Sequence, residues 1–246
     1  MDSEAPGFYV VARCAGAKGS FKRWTELLVH LCAVSATEPQ GNSYYWGRDL
    51  DGSPDTIWGL EGYTHAVGFF MGHPSSAVFK EQMAHIDSEK LLIEDYDLHH
   101  YDFAGGFLSR PDDADKDAKD SFVVVHHFWA RERAARDALV GWLKVLATRS
   151  RALDVAEGVQ SCGVLRECND LRMSTLWVRT RTEADFRKYQ ESEIYQSIVV
   201  TELKAGGKIV DKTELHKSQT FNGHIDKTPA VQQIGNHEIN FGKVRG

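Results

Sequence analysis

The chain predicts an α+β fold: two ferredoxin-like βαββαβ units fused into one pseudo-dimeric barrel. Three observations carry that expectation. The order strand, helix, strand, strand, helix, strand runs through residues 8–108 and again through 121–225. The landmarks also recur in order. Each half opens on an aromatic-rich strand (Phe8-Tyr9-Val10-Val11-Ala12-Arg13; Phe122-Val123-Val124-Val125-His126-His127-Phe128-Trp129) and continues into a helix with a Trp (Trp24; Trp142). A turn follows (Glu38-Pro39-Gln40-Gly41; Glu157-Gly158), then a strand ending in an arginine (Arg48; Arg166) and a strand with a central Trp (Trp58; Trp177). Finally, a four-stranded sheet with helices on one face leaves its other apolar face bare, and a second copy covers it.

The first helix is expected over about 19–36, where Phe21, Trp24, Leu27, Leu28, Leu31 and Val34 share one face and Ser20 is placed to cap it. Strands over 43–49 and 56–62 flank the turn Asp51-Gly52-Ser53-Pro54-Asp55 and read as a hairpin. A helix over 64–84 should break at His73-Pro74, because proline disfavours helix in the residue before it. A strand over 91–101 closes the unit. In the second copy the corresponding elements are a helix over 131–152, a hairpin of 160–168 and 173–182, a helix over 183–200 and a strand over 214–221. The domain boundaries read as 1–108, a charged linker 109–120, 121–225 and a polar tail 226–246.

Composition bounds the function classes. The 246 residues carry a formal charge of −6 with no basic stripe, which argues against a nucleic-acid partner. No apolar run is long enough to span a bilayer, and the acidic start has no signal-peptide core. The four cysteines (Cys14, Cys32, Cys162, Cys168) form no C-x-x-C and no Asn-x-Ser/Thr sequon occurs, so buried thiols in a reducing cytoplasm are expected. No Gly-rich phosphate loop and no G-x-S-x-G elbow occurs, and Lys204-Ala205-Gly206-Gly207-Lys208 reads as a loop.

The run Thr37-Glu38-Pro39-Gln40-Gly41-Asn42-Ser43-Tyr44-Tyr45-Trp46-Gly47-Arg48-Asp49-Leu50-Asp51 resembles the antibiotic biosynthesis monooxygenase superfamily, as do Leu60-Glu61-Gly62-Tyr63 and His73-Pro74-Ser75-Ser76-Ala77-Val78-Phe79. The second copy matches more weakly, through Glu157-Gly158, Arg166-Glu167 and 183–195. The resemblance implies a dimeric α+β barrel, here within one chain, and tandem forms resemble fungal proteins associated with secondary metabolites or oxylipin acids such as jasmonate. It implies oxidation of a small apolar or aromatic molecule by O₂ as co-substrate, without metal, flavin or haem. Other branches degrade haem, isomerise or only bind. The haem-degrading branch has an Asn on the first strand where this chain reads Val11-Ala12-Arg13. A non-catalytic small-molecule-binding barrel and a haem- or metal-dependent oxygenase are the alternatives, and pairing of the fused barrel into a homodimer stays open.

Cofactor-free oxygenation needs a base, donors for the substrate anion and an apolar wall. His73 is the candidate base, with Tyr63 as its catalytic partner ten residues earlier, a spacing that the resemblance supports. Trp46, Trp58 and Phe70 are candidate aromatic walls, and Arg48 a candidate anion holder, on the same strand face as Tyr44 and Trp46. His99-His100 and His126-His127 must point to opposite faces within each pair. His-x-His is absent, so packing at the seam between units is favoured over metal binding.

Overall fold

The computed structural model describes residues 7–111, 113, 119–153, 158–204 and 209–227. The first unit runs β1 (Phe8–Cys14), α1 (Phe21–Ser35), β2 (Gly41–Asp49), β3 (Ile57–Tyr63), α2 (Ala77–Ser88) and β4 (Asp97–Phe107). The second runs β5 (Phe122–Ala130), α3 (Arg136–Arg151), β6 (Val159–Glu167), β7 (Met173–Thr180), α4 (Glu183–Glu191) and β8 (Val210–His224). A π-helical turn (Gly68–Gly72) and a 3-10 turn (His73–Ser75) precede α2, and helical segments Glu193–Tyr195 and Gln196–Lys204 follow α4.

The eight antiparallel strands close into a barrel ordered β1-β3-β2-β8-β5-β7-β6-β4. Each unit contributes the ferredoxin-like order, with its opening strand central and its last strand at an edge. Pairing of β2 with β8 and of β4 with β6 joins the edges and leaves none exposed. This is the expected α+β barrel of two fused βαββαβ units.

Strand alternation sorts the side chains. Tyr9, Val11, Tyr45, Trp58, Leu60, Tyr101, Val123, Val125, Leu165 and Trp177 fill the barrel interior. The opposite faces take the helices: Trp24, Leu27, Leu28 and Leu31 of α1 pack on Ala12, Cys14, Tyr44 and Ile57. In the second unit Leu139, Leu143 and Leu146 of α3 pack with Val124, Phe128, Cys162 and Val178.

Several expected details shift. Strand β4 starts at Asp97 rather than Leu91, because Leu91 leaves the sheet to pack under Trp24, whose Nε1 donates to its carbonyl at 3.3 Å. It then runs on past Tyr101 through Gly106 (φ +91°), where a side chain would strike the Cys162 carbonyl of β6. Strand β8 is 15 residues long, not eight, because it pairs with β5 over its first part and with β2 over its last. Ser20 does not cap α1; the Asp55 carboxylate accepts from the Gly19 and Phe21 amides instead, at 2.9 and 3.1 Å. The buried series Trp24-Leu28-Leu31-Ser35 matches Leu139-Leu143-Leu146-Ser150 in spacing, so Leu139 is the counterpart of Trp24, and Trp142 is only partly buried. Likewise Cys168 is exposed, against the expectation of four buried thiols.

Linker residue Asp113 is no solvated tether: it and Arg179 form a fully buried ion pair, and Arg179 also donates to Gln160 and Ser161, at 3.0 and 3.2 Å. The turn residue Glu157, the loop 205–208 and tail residues 228–246 lie outside the described residues.

Candidate functional site

Between the outer face of the first unit's sheet and its helices lies a cavity of about 200 Å³. Its floor is Ala12 and Cys14 of β1, Tyr44 and Trp46 of β2 and Glu61 of β3. Its roof is Trp24, Leu28 and Leu31 of α1, with Phe69, Phe70, His73 and Phe79 closing the side. The walls are overwhelmingly apolar, as a small-molecule site requires.

The broken helix places the histidine. Pro74 cannot continue an α-helix through His73, so the chain passes from a π-helical to a 3-10 turn before α2 restarts at a Ser76 cap, whose Oγ accepts from the Phe79 amide at 3.0 Å. The break turns His73, 2% exposed, inward against Tyr44 and Phe79. Its Nδ1 lies 2.7 Å from Oε1 of Glu38, in the loop before β2. A carboxylate partner there sets Nδ1 as the donor and leaves Nε2 as the acceptor in the neutral ring. Nε2 has no hydrogen-bond partner among the described residues, and neither has Trp46 Nε1.

Glu61 is the second polar element, 8% exposed, and its Oε2 accepts from the Tyr63 hydroxyl at 2.7 Å. Burial raises its pKa above the ordinary carboxylate value, against the opposing pull of His73 and the Tyr63 hydrogen bond. For His73, burial pulls the pKa down, but the Glu38 hydrogen bond and the charges of Glu61 and Glu38 outweigh it, so it lies above the ordinary imidazole value. The Tyr44 and Tyr63 phenols are held well above their ordinary range by burial and then by Glu61. The arrangement can accept a proton at Nε2 and hold it on an imidazolium backed by Glu38.

The structure brings some of the predicted residues together and separates others. His73, Trp46 and Phe70 line the cavity, with Phe70 57% exposed at its entrance. Tyr63 reaches it through Glu61, and also borders a more open depression of about 400 Å³ beyond His73. Trp58 lies on the other face of β3, inside the barrel, stacked on His216 at 4.5 Å. Arg48 shares the face of Tyr44 and Trp46 but lies beyond the cavity, donating to the Pro54 carbonyl at 2.7 Å and covering the Phe21 ring at 4.5 Å.

Sequence reasoning passed over Glu38 and Glu61 as site residues, reading them as turn and strand-end signals. For Glu61 a signal existed. An ionisable residue within Ile57-Trp58-Gly59-Leu60-Glu61-Gly62-Tyr63, on the same strand parity as Tyr63, must share its buried face.

The histidine pairs split across the sheet as their alternation requires. His99 and His127 turn inward, their ring centroids 5.6 Å apart, and His127 meets His216 at 5.8 Å. Outward, His100 stacks on Phe70 and His126 bonds the Tyr195 hydroxyl at 3.1 Å. Only β4 lies at the seam; β5 is flanked by β7 and β8 of its own unit, because the opening strand of this topology is central. Among the described residues no group of three or more His, Cys, Asp or Glu is arranged to hold a metal ion, and no helix is long and apolar enough to cross a membrane.

No family model matches the sequence, and no curated protein does. Solved structures do match. A proposed monooxygenase of Fusobacterium nucleatum superposes with a TM-score of 0.74 at 10% identity, over 90% of this chain and 95% of the other. One from Lactobacillus acidophilus gives 0.72 at 9%, over 90% and 97%. An anthrone oxidase-like protein gives 0.64 at 10%, over 92% and 96%. At these identities the likeness concerns the fold, along nearly the whole length of each chain.

Proposed function

We propose that the first unit's helix–sheet cavity is the active site of a monooxygenase that oxidises a small apolar or aromatic metabolite with O₂ and without a cofactor. The observation that carries the reading is His73: a buried imidazole lining an apolar cavity, whose Nδ1 is held by Glu38 and whose Nε2 has no hydrogen-bond partner among the described residues. The names of the structural neighbours, two proposed monooxygenases and an anthrone oxidase-like protein, agree with it.

The chemistry asks little of the protein beyond these groups. His73 takes an acidic C–H or O–H proton from the substrate, and Glu38 stabilises the imidazolium that forms. The substrate anion gives one electron to O₂, and radical and superoxide recombine as a peroxide at carbon. Loss of water from that peroxide, using the proton held on His73, leaves a ketone. The balance is one CH₂ and one O₂ to one C=O and one H₂O. The apolar wall keeps bulk water from the anion.

The test is mass spectrometry after chelator-treated protein is incubated under ¹⁸O₂ with a panel of naphthols, quinols and anthrones. One labelled oxygen in a product, lost in His73→Ala, is expected. No labelled product above the uncatalysed background, with ligands still raising the melting temperature, would replace the proposal with a binding protein.

A further inference from the structure

We propose that Glu61 makes this cavity select against carboxylates, so that its substrate is a neutral molecule of one or two fused rings with a weakly acidic hydroxyl. The inference rests on the reading of the cavity as a binding site, and it chooses between the substrate classes that reading leaves open: a phenolic metabolite is accepted, an oxylipin acid refused.

Size comes first. Pockets for drug-sized ligands span roughly 300–1,000 Å³, and about 200 Å³ lies below that range. Charge comes second. The charged groups lining it are one carboxylate, Glu61, and one imidazole, His73; Glu38 stands outside the lining and holds His73 Nδ1. No lysine or arginine is among the residues lining it. Lys227 lies beside Glu38 but is turned to the backbone carbonyls of Ser35 and Glu38 and does not border the cavity. His73, the lining group able to answer a carboxylate, is already paired with Glu38, so Glu61 faces the cavity with no cation of its own.

A carboxylate substrate would add a further buried negative charge without a cation to pair it, which is strongly unfavourable. A neutral hydroxyl meets the opposite situation. It can donate to His73 Nε2, which has no other partner among the described residues. It asks for no counter-ion before the proton moves. Selection here comes from a repulsive element, the usual way a small pocket separates ligands of similar shape. The second unit has no acid at the matching position: the β2–β3 register sets Glu61 opposite Tyr44, and the β6–β7 register sets Val178 opposite Cys162.

The experiment compares 2-naphthol with 2-naphthoate, equal in ring size and different in charge at pH 7.5, by calorimetric titration of the full-length protein. Wild type is expected to bind naphthol at least about tenfold tighter than naphthoate. In Glu61→Gln, which keeps the size and can still accept from Tyr63, that ratio should fall severalfold, chiefly because naphthoate binds better. Glu61→Val, which copies Val178, is the second variant should the glutamine fail to fold, and it should move the ratio in the same direction. Equal binding of the two probes to wild type, no binding of naphthol, or a ratio unchanged in both variants overturns the inference. Failure of ¹⁸O labelling would remove the proposed oxidation and leave this binding ratio standing, so the two readings fail separately.

Discussion

The two units share one order of elements and differ in what lies between helices and sheet. In the first, Tyr44 faces Glu61 across the β2–β3 ladder and an apolar cavity with one acid in its floor remains. In the second, Cys162 faces Val178, and the equivalent space is filled. Tyr189 of α4 reaches into it, its hydroxyl 2.7 Å from Ser150 Oγ and 3.8 Å from Cys162 Sγ, while Leu139, Leu143 and Leu146 are completely buried. The remaining space there is an open groove of about 510 Å³ toward β8, with polar walls that include Arg187, Gln190 and Glu191. One backbone plan thus supports a close-packed layer in one copy and a hollow one with buried acids in the other. The comparison teaches that duplication frees one copy to be stabilised by packing while the other carries groups that packing alone would reject.

Substitutions in the two units test this difference. The largest effect belongs to the bases. His73→Ala should lower turnover of an identified substrate by about 10²-fold or more, whereas His126→Gln in the second unit should leave it unchanged in the same steady-state assay. Equal losses would put the chemistry somewhere else.

Next come the cores. Leu143→Ala, in the filled layer, should cost about 3–5 kcal/mol, and its counterpart Leu28→Ala about 2 kcal/mol, because Leu28 already borders empty space and loses fewer contacts. Urea denaturation of both variants checks this, and equal costs would contradict the hollow–filled distinction. Smaller still, Tyr63→Phe removes the donor to Glu61 and should cost about 1–3 kcal/mol near neutral pH, read from the shift in the urea midpoint.

The last contrast is a pH dependence. Glu61 and His73 both have folded-state pKa values above their ordinary ones near 4.5 and 6.5. Their contribution is therefore fully present below those ordinary values and is lost as pH rises through the folded ones. Wild type should lose melting temperature relative to Glu61→Gln as pH is raised from 4.5 to 8. Val178→Ala, which removes no titrating group, should show a deficit that does not change with pH.

Part of the site was legible in the chain. His73-Pro74 announces a helix break through the backbone, whereas the cavity-facing role of His73 came from the family resemblance. Trp46 was placed on the right face by period-2 alternation. The same rule put Arg48 on that face too, but alternation says nothing of distance along a strand, and Arg48 lies beyond the end of the cavity. Trp58 and Tyr63 were grouped as aromatics although their odd spacing puts them on opposite faces of β3. Glu38 could not have been found, since its partner is 35 positions away and the contact exists only once α1 and the broken helix are docked.

The repeated order of strands and helices, the faces of the strands and the break at Pro74 are local in origin, because periodicity, turn chemistry and proline act through a few neighbouring residues. The tertiary structure alone decided that β8 would bridge both units, that Asp113 would meet Arg179, and that Glu38, Glu61 and His73 would converge on one hollow while the matching space in the second unit closed. Those outcomes depend on how side chains distant in the chain fill or fail to fill a shared volume, and no local pattern records that volume.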